Sequence, residues 1–304
     1  MYLQETAFGI GNNLKTCVSC KLRLCNRFCQ IGSINLSVLV FMSIVVAVPT
    51  HPLFEPLITH AESICHSIGA RLLRGTEQEC RTWLGRHIAD VALVSPLGYA
   101  QVALKTDLRI VPVSTLTLDA LTYTGSIYLH QHQADMQISR CVSPVGDDFL
   151  MMMGRAVFAE KFDVELTFTQ EQGSVTDLLT RYDVVLDYGF DQTQSVVLDI
   201  SDEWSDYFGE ILPIAVWACR PEEVPETLAE SLAAFRNTEA PTTMDIAEQE
   251  HLGTNAHRIG VISTIWNEET EEALAHLMEL LYYWQYTPSV AAIKIWMRDV
   301  VEKI

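Results

Sequence analysis

The stretch Ile88-Ala-Asp-Val-Ala-Leu-Val-Ser-Pro-Leu-Gly-Tyr-Ala100 decides how the rest of the chain is read. Residues 91–94 are an apolar run of strand length with only Asp90 in front of it, as in a strand covered on both faces inside a parallel sheet. Ser95-Pro96 ends the strand and starts a helix, because proline at the first helical position gives up an N–H that has no helical partner anyway. Parallel sheets take their ligands at the carboxyl ends of strands, where the N–H groups of the next helix also point. Ser95 is therefore a candidate site residue. Its other reading is a helix cap alone.

The neighbouring segments repeat this grammar. Residues 43–48 form another apolar run, ended by Pro49-Thr50-His51-Pro52, with a helix expected over 53–68. Residues 70–73 read as a second strand, and Thr76-Glu-Gln-Glu79 as a capping box opening a helix. A strand over 108–113 completes a β-α-β-α-β unit with right-handed crossovers. Residues 121–130 alternate as a strand half exposed to a polar cavity. A second series follows, with strands over 136–142, 164–168 and 183–187, a helix over 147–161 and a short helix capped by Ser174. Met151 to Met153 sit among Phe149, Leu150, Val157 and Phe158 and read as core. The apolar residues 211–219 return the chain to its first half, and helices over 224–235, 267–283 and from 287 to the C-terminus close it.

The expected architecture is α/β with two lobes, lobe 1 from residues 42–125 plus 215–304 and lobe 2 from 126–214. Residues 121–130 and 211–220 are expected to pair as two crossing hinge strands.

The chain has 304 residues, 20 basic and 39 acidic, for a net charge of −19, and 49% of it is hydrophobic. That is enough for two buried cores. The acidity argues against a nucleic-acid or anionic-membrane partner. Residues 1–41 differ: they carry Lys15, Lys21, Arg23 and Arg27 against Glu5 alone, and Cys17, Cys20, Cys25 and Cys29 are half of the eight cysteines. Three readings stay open: a zinc or iron–sulfur site, a secretory signal or anchor before the apolar stretch 34–48, or a non-native or disordered leader ahead of a start at Met42. The last is preferred, and it implies a cytoplasmic protein with no membrane insertion.

Two lobes joined by crossing strands resemble the type 2 periplasmic-binding-protein-like fold. Within that fold, local sequences resemble the chorismate dehydratase family of the futalosine route to menaquinone. Pro49-Thr-His-Pro-Leu53 stands where the family has Asn-Thr-Arg-Pro-Leu, and Asp90 to Ala100 is similar to its Asp-Val-Ala-Leu-Val-Pro-Ser-x-x-Tyr-Ala. Asp199-Ile-Ser-Asp-Glu-Trp204 and Ile214-Ala-Val-Trp-Ala-Cys-Arg220 are similar to its Asp-Leu-Gly-x-x-Trp and Phe-Ala-Val-Trp-Ala segments, and Gly189 and Asp191 lie near a family Gly-Asp. The departures are Pro49 for asparagine, the inverted Ser95-Pro96, and Ser143-Pro-Val-Gly-Asp-Asp148 in place of a Thr-Ser loop. The last sets two carboxylates beside an anionic substrate.

The resemblance implies a lyase that removes water from chorismate to give 3-[(1-carboxyvinyl)oxy]benzoate, with no metal or cofactor. Ser95 and Thr50 would be the catalytic hydroxyl donors, with His51 as an acid in place of the family arginine. Tyr99, Thr124, Ser126, Ser143, Tyr188 and Gly189 would bind substrate. The other reading of His51 is a surface residue at a helix start. The rival function is a non-catalytic solute-binding or sensor protein for a small carboxylate.

Overall fold

The computed structural model describes residues 44–130, 138–189, 194, 197–225, 227–236, 243–246 and 260–298. The expected leader and Asp191 lie outside them. The described residues belong to one compact unit, Ser43–Ile304.

Two sheets make two lobes. In lobe 1, β1 (Val45–Pro49), β2 (Arg71–Gly75) and β3 (Val91–Val94) are parallel, in the order β2-β1-β3. Beyond β3 the sheet continues through β10 (Leu212–Cys219), β4 (Arg109–Asp119), β12 (Gly260–Ser263) and β11 (Thr243–Ile246), each antiparallel to the one before. Helices α1 (Glu55–Ile58), α2 (Ala61–Ser67), α3 (Glu77–Gly85), α4 (Pro96–Ala103), α8 (Leu228–Ala233) and α9 (Glu268–Tyr283) accompany it. In lobe 2, β7 (Thr167–Gln170), β6 (Arg140–Ser143) and β8 (Val184–Tyr188) are parallel, and β5 (Gly125–Leu129) and β9 (Val197–Asp199) complete the order β7-β6-β8-β5-β9. Its helices are α5 (Phe149–Phe162), α6 (Val175–Leu179) and α7 (Ile200–Phe208). This is the expected two-lobed, periplasmic-binding-protein-like topology: the chain leaves lobe 1 after β4 and re-enters it at β10.

Continuous apolar runs mark the strands covered on both faces. All four residues of β3 and all eight of β10 are buried, and each fully buried Val or Leu contributes about 1.5–3 kcal/mol. Polar residues in the same motifs hold the lobe 1 core from below. Asp90 accepts from the Val45 N–H at 2.7 Å and pairs with Arg220 at 3.1 Å, while Arg220 also donates to the Leu84 carbonyl at 2.8 Å. Met151 to Met153 are buried in the core, as their neighbours implied. No helix among the described residues is long and apolar enough to cross a membrane.

Four expectations need correction. Residues 121–130 and 211–220 do not pair with each other. β5 has both edges taken by β8 and β9, and the long antiparallel pair at the crossing is β4 with β10. The helix expected over 53–68 is broken, because the His60 N–H donates to the Phe235 carbonyl and the Thr59 hydroxyl caps the Glu55 carbonyl at 2.8 Å. The helix expected over 224–235 shrinks to α8. Finally, residues 287–298 are not helical. β12 covers only residues 117–119 of β4, and the tail fills the open edge further back: the Ile110 N–H donates to the Lys294 carbonyl at 2.7 Å and the Trp296 N–H to the Ile110 carbonyl at 2.8 Å. Residues 299–304 lie outside the described part.

The crossing is fixed by α7. The Ser201 hydroxyl lies 2.7 Å from the Ala120 carbonyl, 2.6 Å from an Asp199 carboxyl oxygen and 2.8 Å from the Thr122 hydroxyl. Ser205 accepts from the Ala120 N–H and donates to Asp119. Ala120 and Tyr123 both take positive φ, 52° and 54°, so the turn is held in a costly conformation by these bonds. Gly260 is required opposite, since a Cβ there would come within 1.8 Å of the Leu121 carbonyl oxygen.

Candidate functional site

The lobes meet where their parallel strands end. From lobe 1 come Thr50 and His51 after β1, Glu77 after β2, and Ser95 after β3. From lobe 2 come Ser143 and Asp148 after β6, and Tyr188 and Gly189 at the end of β8.

His51 carries the contact between lobes, its ring stacked on Tyr188 with centroids 4.0 Å apart. The Leu53 N–H donates to its Nδ1 at 3.2 Å, which makes His51 a cap for the short turn at Pro52 and selects the neutral tautomer with the proton on Nε2. Burial lowers its pKa, and nearby Asp148 opposes that only in part. His51 is thus a neutral hydrogen-bond donor, and its charge is not what it offers a ligand.

Ser95 caps α4. Its oxygen accepts from the Gly98 N–H at 3.1 Å, capping α4, and this leaves the hydroxyl proton free to donate. The residue is buried. Across the cleft Asp148 occupies the cap position of α5 without making a capping bond; one of its oxygens receives the Tyr188 hydroxyl instead, at 3.4 Å. Burial raises the Asp148 pKa, against the pull of His51 and Tyr188. Burial also raises that of Tyr188, with Asp148 and Glu77 adding to it, so the phenol stays protonated.

Two of these residues were not singled out from sequence as functional. Asp148 was read as a repulsive carboxylate, and Glu77 only as part of a capping box. The box is real, formed by Thr76 and Glu79, and Glu77 takes no part in it. The residue is half-buried, and loss of hydration pushes its pKa up to about 7, with Asp148 adding to the rise and the Ser95 hydroxyl, the Phe149 N–H and Arg81 favouring the ionised form. The rule that singled out Thr50 and Ser95, position just past a parallel strand, applied equally to Glu77.

The remaining expected residues divide. Ser126 donates to the Gly189 carbonyl at 2.6 Å, and the Gly189 N–H donates to the Thr124 carbonyl, so these three fix the turn after β8. Gly189 takes φ 74° there. Ser143 is buried at the end of β6, its hydroxyl without a partner among the described residues. Thr50 is exposed, with its backbone N–H given to the Gly75 carbonyl. Tyr99 is misplaced as a binding residue: it is fully buried, and its hydroxyl donates to the Ala292 carbonyl at 2.9 Å and accepts from the Lys294 N–H at 3.3 Å. It holds the C-terminal tail.

Taken together, the cleft offers hydroxyls, an imidazole N–H, carboxyl groups biased toward their protonated forms and the N-termini of α4 and α5. It can orient a small polar or anionic ligand through neutral donors and pass protons through Asp148 and Glu77.

No protein-family model matches the chain, and no curated protein matches it significantly. Among solved structures, protein AF1704 from Archaeoglobus fulgidus is 12% identical with a TM-score of 0.49, the match covering 81% of this chain and 98% of that one. A YaeC-family lipoprotein from Enterococcus faecalis is 14% identical (TM-score 0.40, 65% and 92% covered). A periplasmic substrate-binding protein of an ABC transporter from Coxiella burnetii is 12% identical (TM-score 0.39, 63% and 91% covered).

Proposed function

We propose that the chain is a chorismate dehydratase-like hydro-lyase that takes its substrate between the lobes. The observation that carries this reading is the meeting of His51 from lobe 1 with Tyr188 and Asp148 from lobe 2, with Ser95 at the end of β3, the strand beside β1. The loop at Pro49 to Leu53 and the Asp90 to Ala100 segment, which resemble the family, supply two of the four.

In the reaction a proton leaves the ring carbon that bears the enolpyruvyl ether, hydroxide leaves the neighbouring carbon, and the ring becomes aromatic. Aromatisation supplies the driving force, so the protein mainly positions the substrate and handles two protons. Asp148 in its ionised form would take the ring proton. The Ser95 hydroxyl, the His51 Nε2–H and the α4 and α5 N–H groups would hold substrate oxygens as charge develops. Thr50, exposed beside His51, would meet the substrate only at its outer edge.

The second reading is a non-catalytic binding or sensor protein for a small carboxylate. The observation favouring it is Pro49, which cannot donate a hydrogen bond where the family has an asparagine. Incubating the full chain with chorismate and following the aromatic product by chromatography and mass separates the two. Product formation that vanishes in Asp148→Asn is the expected result. A protein that binds chorismate but yields no product, even at equimolar concentration, would leave only the binding function.

A further inference from the structure

A cavity of about 220 Å³ lies where β4 leaves lobe 1 and β10 returns to it, and it shares no lining residue with the cleft. The end of β4 gives it Thr117 and Asp119, the approach to β10 gives it Ile211, and β12 and the start of α9 close it. A cavity of about 150 Å³ holds a benzene ring and drug-sized ligands take about 300 Å³ or more, so this one suits a single small ring or a short chain. Inside it a hydroxyl stands without a partner. Thr117 is 4% exposed, and among the described residues nothing hydrogen-bonds to its side chain. Its neighbours differ: the Thr115 hydroxyl donates to the Ala215 carbonyl at 2.7 Å, and the Thr270 hydroxyl to Asn267 at 2.8 Å. A buried hydroxyl that faces a cavity unpaired forgoes hydrogen bonding that a ligand can restore. Beside it, two residues along the same face of β4, Asp119 accepts from the Ser205 hydroxyl at 2.9 Å with one oxygen and keeps the other. Glu269, exposed at the mouth, is a second carboxylate, and no basic side chain lines the cavity. The positive end of α9, which would favour an anion, is already met by Glu268, Glu269 and Glu271 in its first turn.

We infer that this cavity is a second ligand site, which takes a small organic ammonium compound with a compact apolar body. An ammonium group has N–H bonds for the Asp119 carboxylate and the Thr117 oxygen together, and Glu269 adds negative charge at the entrance. The apolar body packs on Ile211, Val261 and Ile265. An anion would meet Asp119 uncompensated, and a neutral ring would take water from that carboxylate and return no hydrogen bond. The site stands apart from the reaction proposed for the cleft and does not rest on it. Through Asp119 and Ser205 its occupant touches the crossing turn itself.

The test is calorimetric titration of the full chain with benzylammonium in about 0.15 M salt, which screens loose attraction to the acidic surface. The inference expects one molecule bound per chain, with benzyl alcohol and benzoate each bound at least about tenfold more weakly. Asp119→Asn should lower the affinity for benzylammonium at least about tenfold, and Thr117→Val, which keeps the shape and removes the hydroxyl, by about three- to tenfold. Val261→Phe, which fills the cavity, should abolish binding. Thermal melts show which of these buried variants fold. Glu269→Gln, at the exposed mouth, keeps the test decisive if they do not, with an expected loss of about two- to fivefold. Affinity unchanged in a folded Asp119→Asn or in Glu269→Gln would overturn the inference. So would benzoate or benzyl alcohol bound as tightly as benzylammonium, or no binding by the parent at millimolar concentration.

Discussion

Ser95 shows why a cap and a ligand donor need not be alternatives. Capping uses the lone pairs of the hydroxyl and leaves its proton, which in the proposed function would meet the ligand, so one side chain would serve both. Ser95→Ala should therefore fail twice. Loss of the α4 cap costs about 1 kcal/mol, lowering the melting temperature by a few degrees. Loss of a hydrogen bond to a charged ligand costs about 1.5–3 kcal/mol, or roughly ten- to a hundredfold in affinity. Ser95→Thr keeps both functions if the extra methyl fits. A melt beside a calorimetric titration reads the two losses separately, and an alanine variant that melts lower but binds as well as the parent would reduce Ser95 to its cap. His51 makes a related point: with Nδ1 held by the Leu53 N–H and its pKa lowered by burial, it offers a neutral Nε2–H donor and no charge.

At the level of elements, the crossing turn is the place where protonation and fold stability are linked. The Ser201 hydroxyl has one proton and two acceptors, Ala120 and Asp199. Burial pushes the Asp199 pKa up to about 6, against the hydrogen bonds it receives from Ser201 and Asp202. An acid with a raised folded-state pKa adds its full stability below its unfolded value, and that addition is lost as pH rises through the folded value. For Asp199 the window runs from about pH 4 to about pH 6. Asp199→Asn still caps α7 but cannot ionise, so its melting temperature relative to the parent should rise across that window and then level off. A difference that stays flat from acid to neutral pH would show that Asp199 does not titrate there. Sequence reading found most elements because their cues are local: buried runs for β3 and β10, the Thr76 capping box for α3, Ser174 for α6 and Asn267 for α9. It failed where a distant partner decided the outcome. Ile293 and Met297 have helical spacing, but residues 292–296 are drawn out by the open edge of β4 and by Tyr99. The candidate site was legible as strand ends and not as chemistry, since no local pattern says that Asp148 makes no cap and receives the Tyr188 hydroxyl instead. Much of the family-like sequence proved structural: Asp90 and Arg220 clamp lobe 1, and Trp204 packs against Phe208 and Trp284.

For the molecule as a whole, closure is held at two places besides the crossing. One is the cleft, where His51 stacks on Tyr188. The other is a brace at the end of α9, where the Trp284 indole donates to Glu160 of α5 at 2.8 Å and lies edge-on to Trp204 and Phe208 of α7. His276 of α9 meets Glu210 beside it at 2.9 Å. Opening the cleft must slide or break this brace, which biases the lobes toward the closed arrangement. Trp284→Ala should therefore populate open forms, seen as a larger radius of gyration in X-ray scattering that contracts when ligand is added. An unchanged radius would mean that the cleft contacts alone hold the lobes together. The path of the chain has a further consequence, for its synthesis on the ribosome. All of lobe 2 emerges before β10, the strand that stands between β3 and β4 and is buried along its whole length. Until then the growing polypeptide carries two unpaired apolar strand edges, and the last gap beside Ile110 closes only when residues 294–296 appear. Such edges template pairing with other chains. Early termination anywhere between lobe 2 and the tail would therefore release a product with one finished lobe and one prone to aggregate.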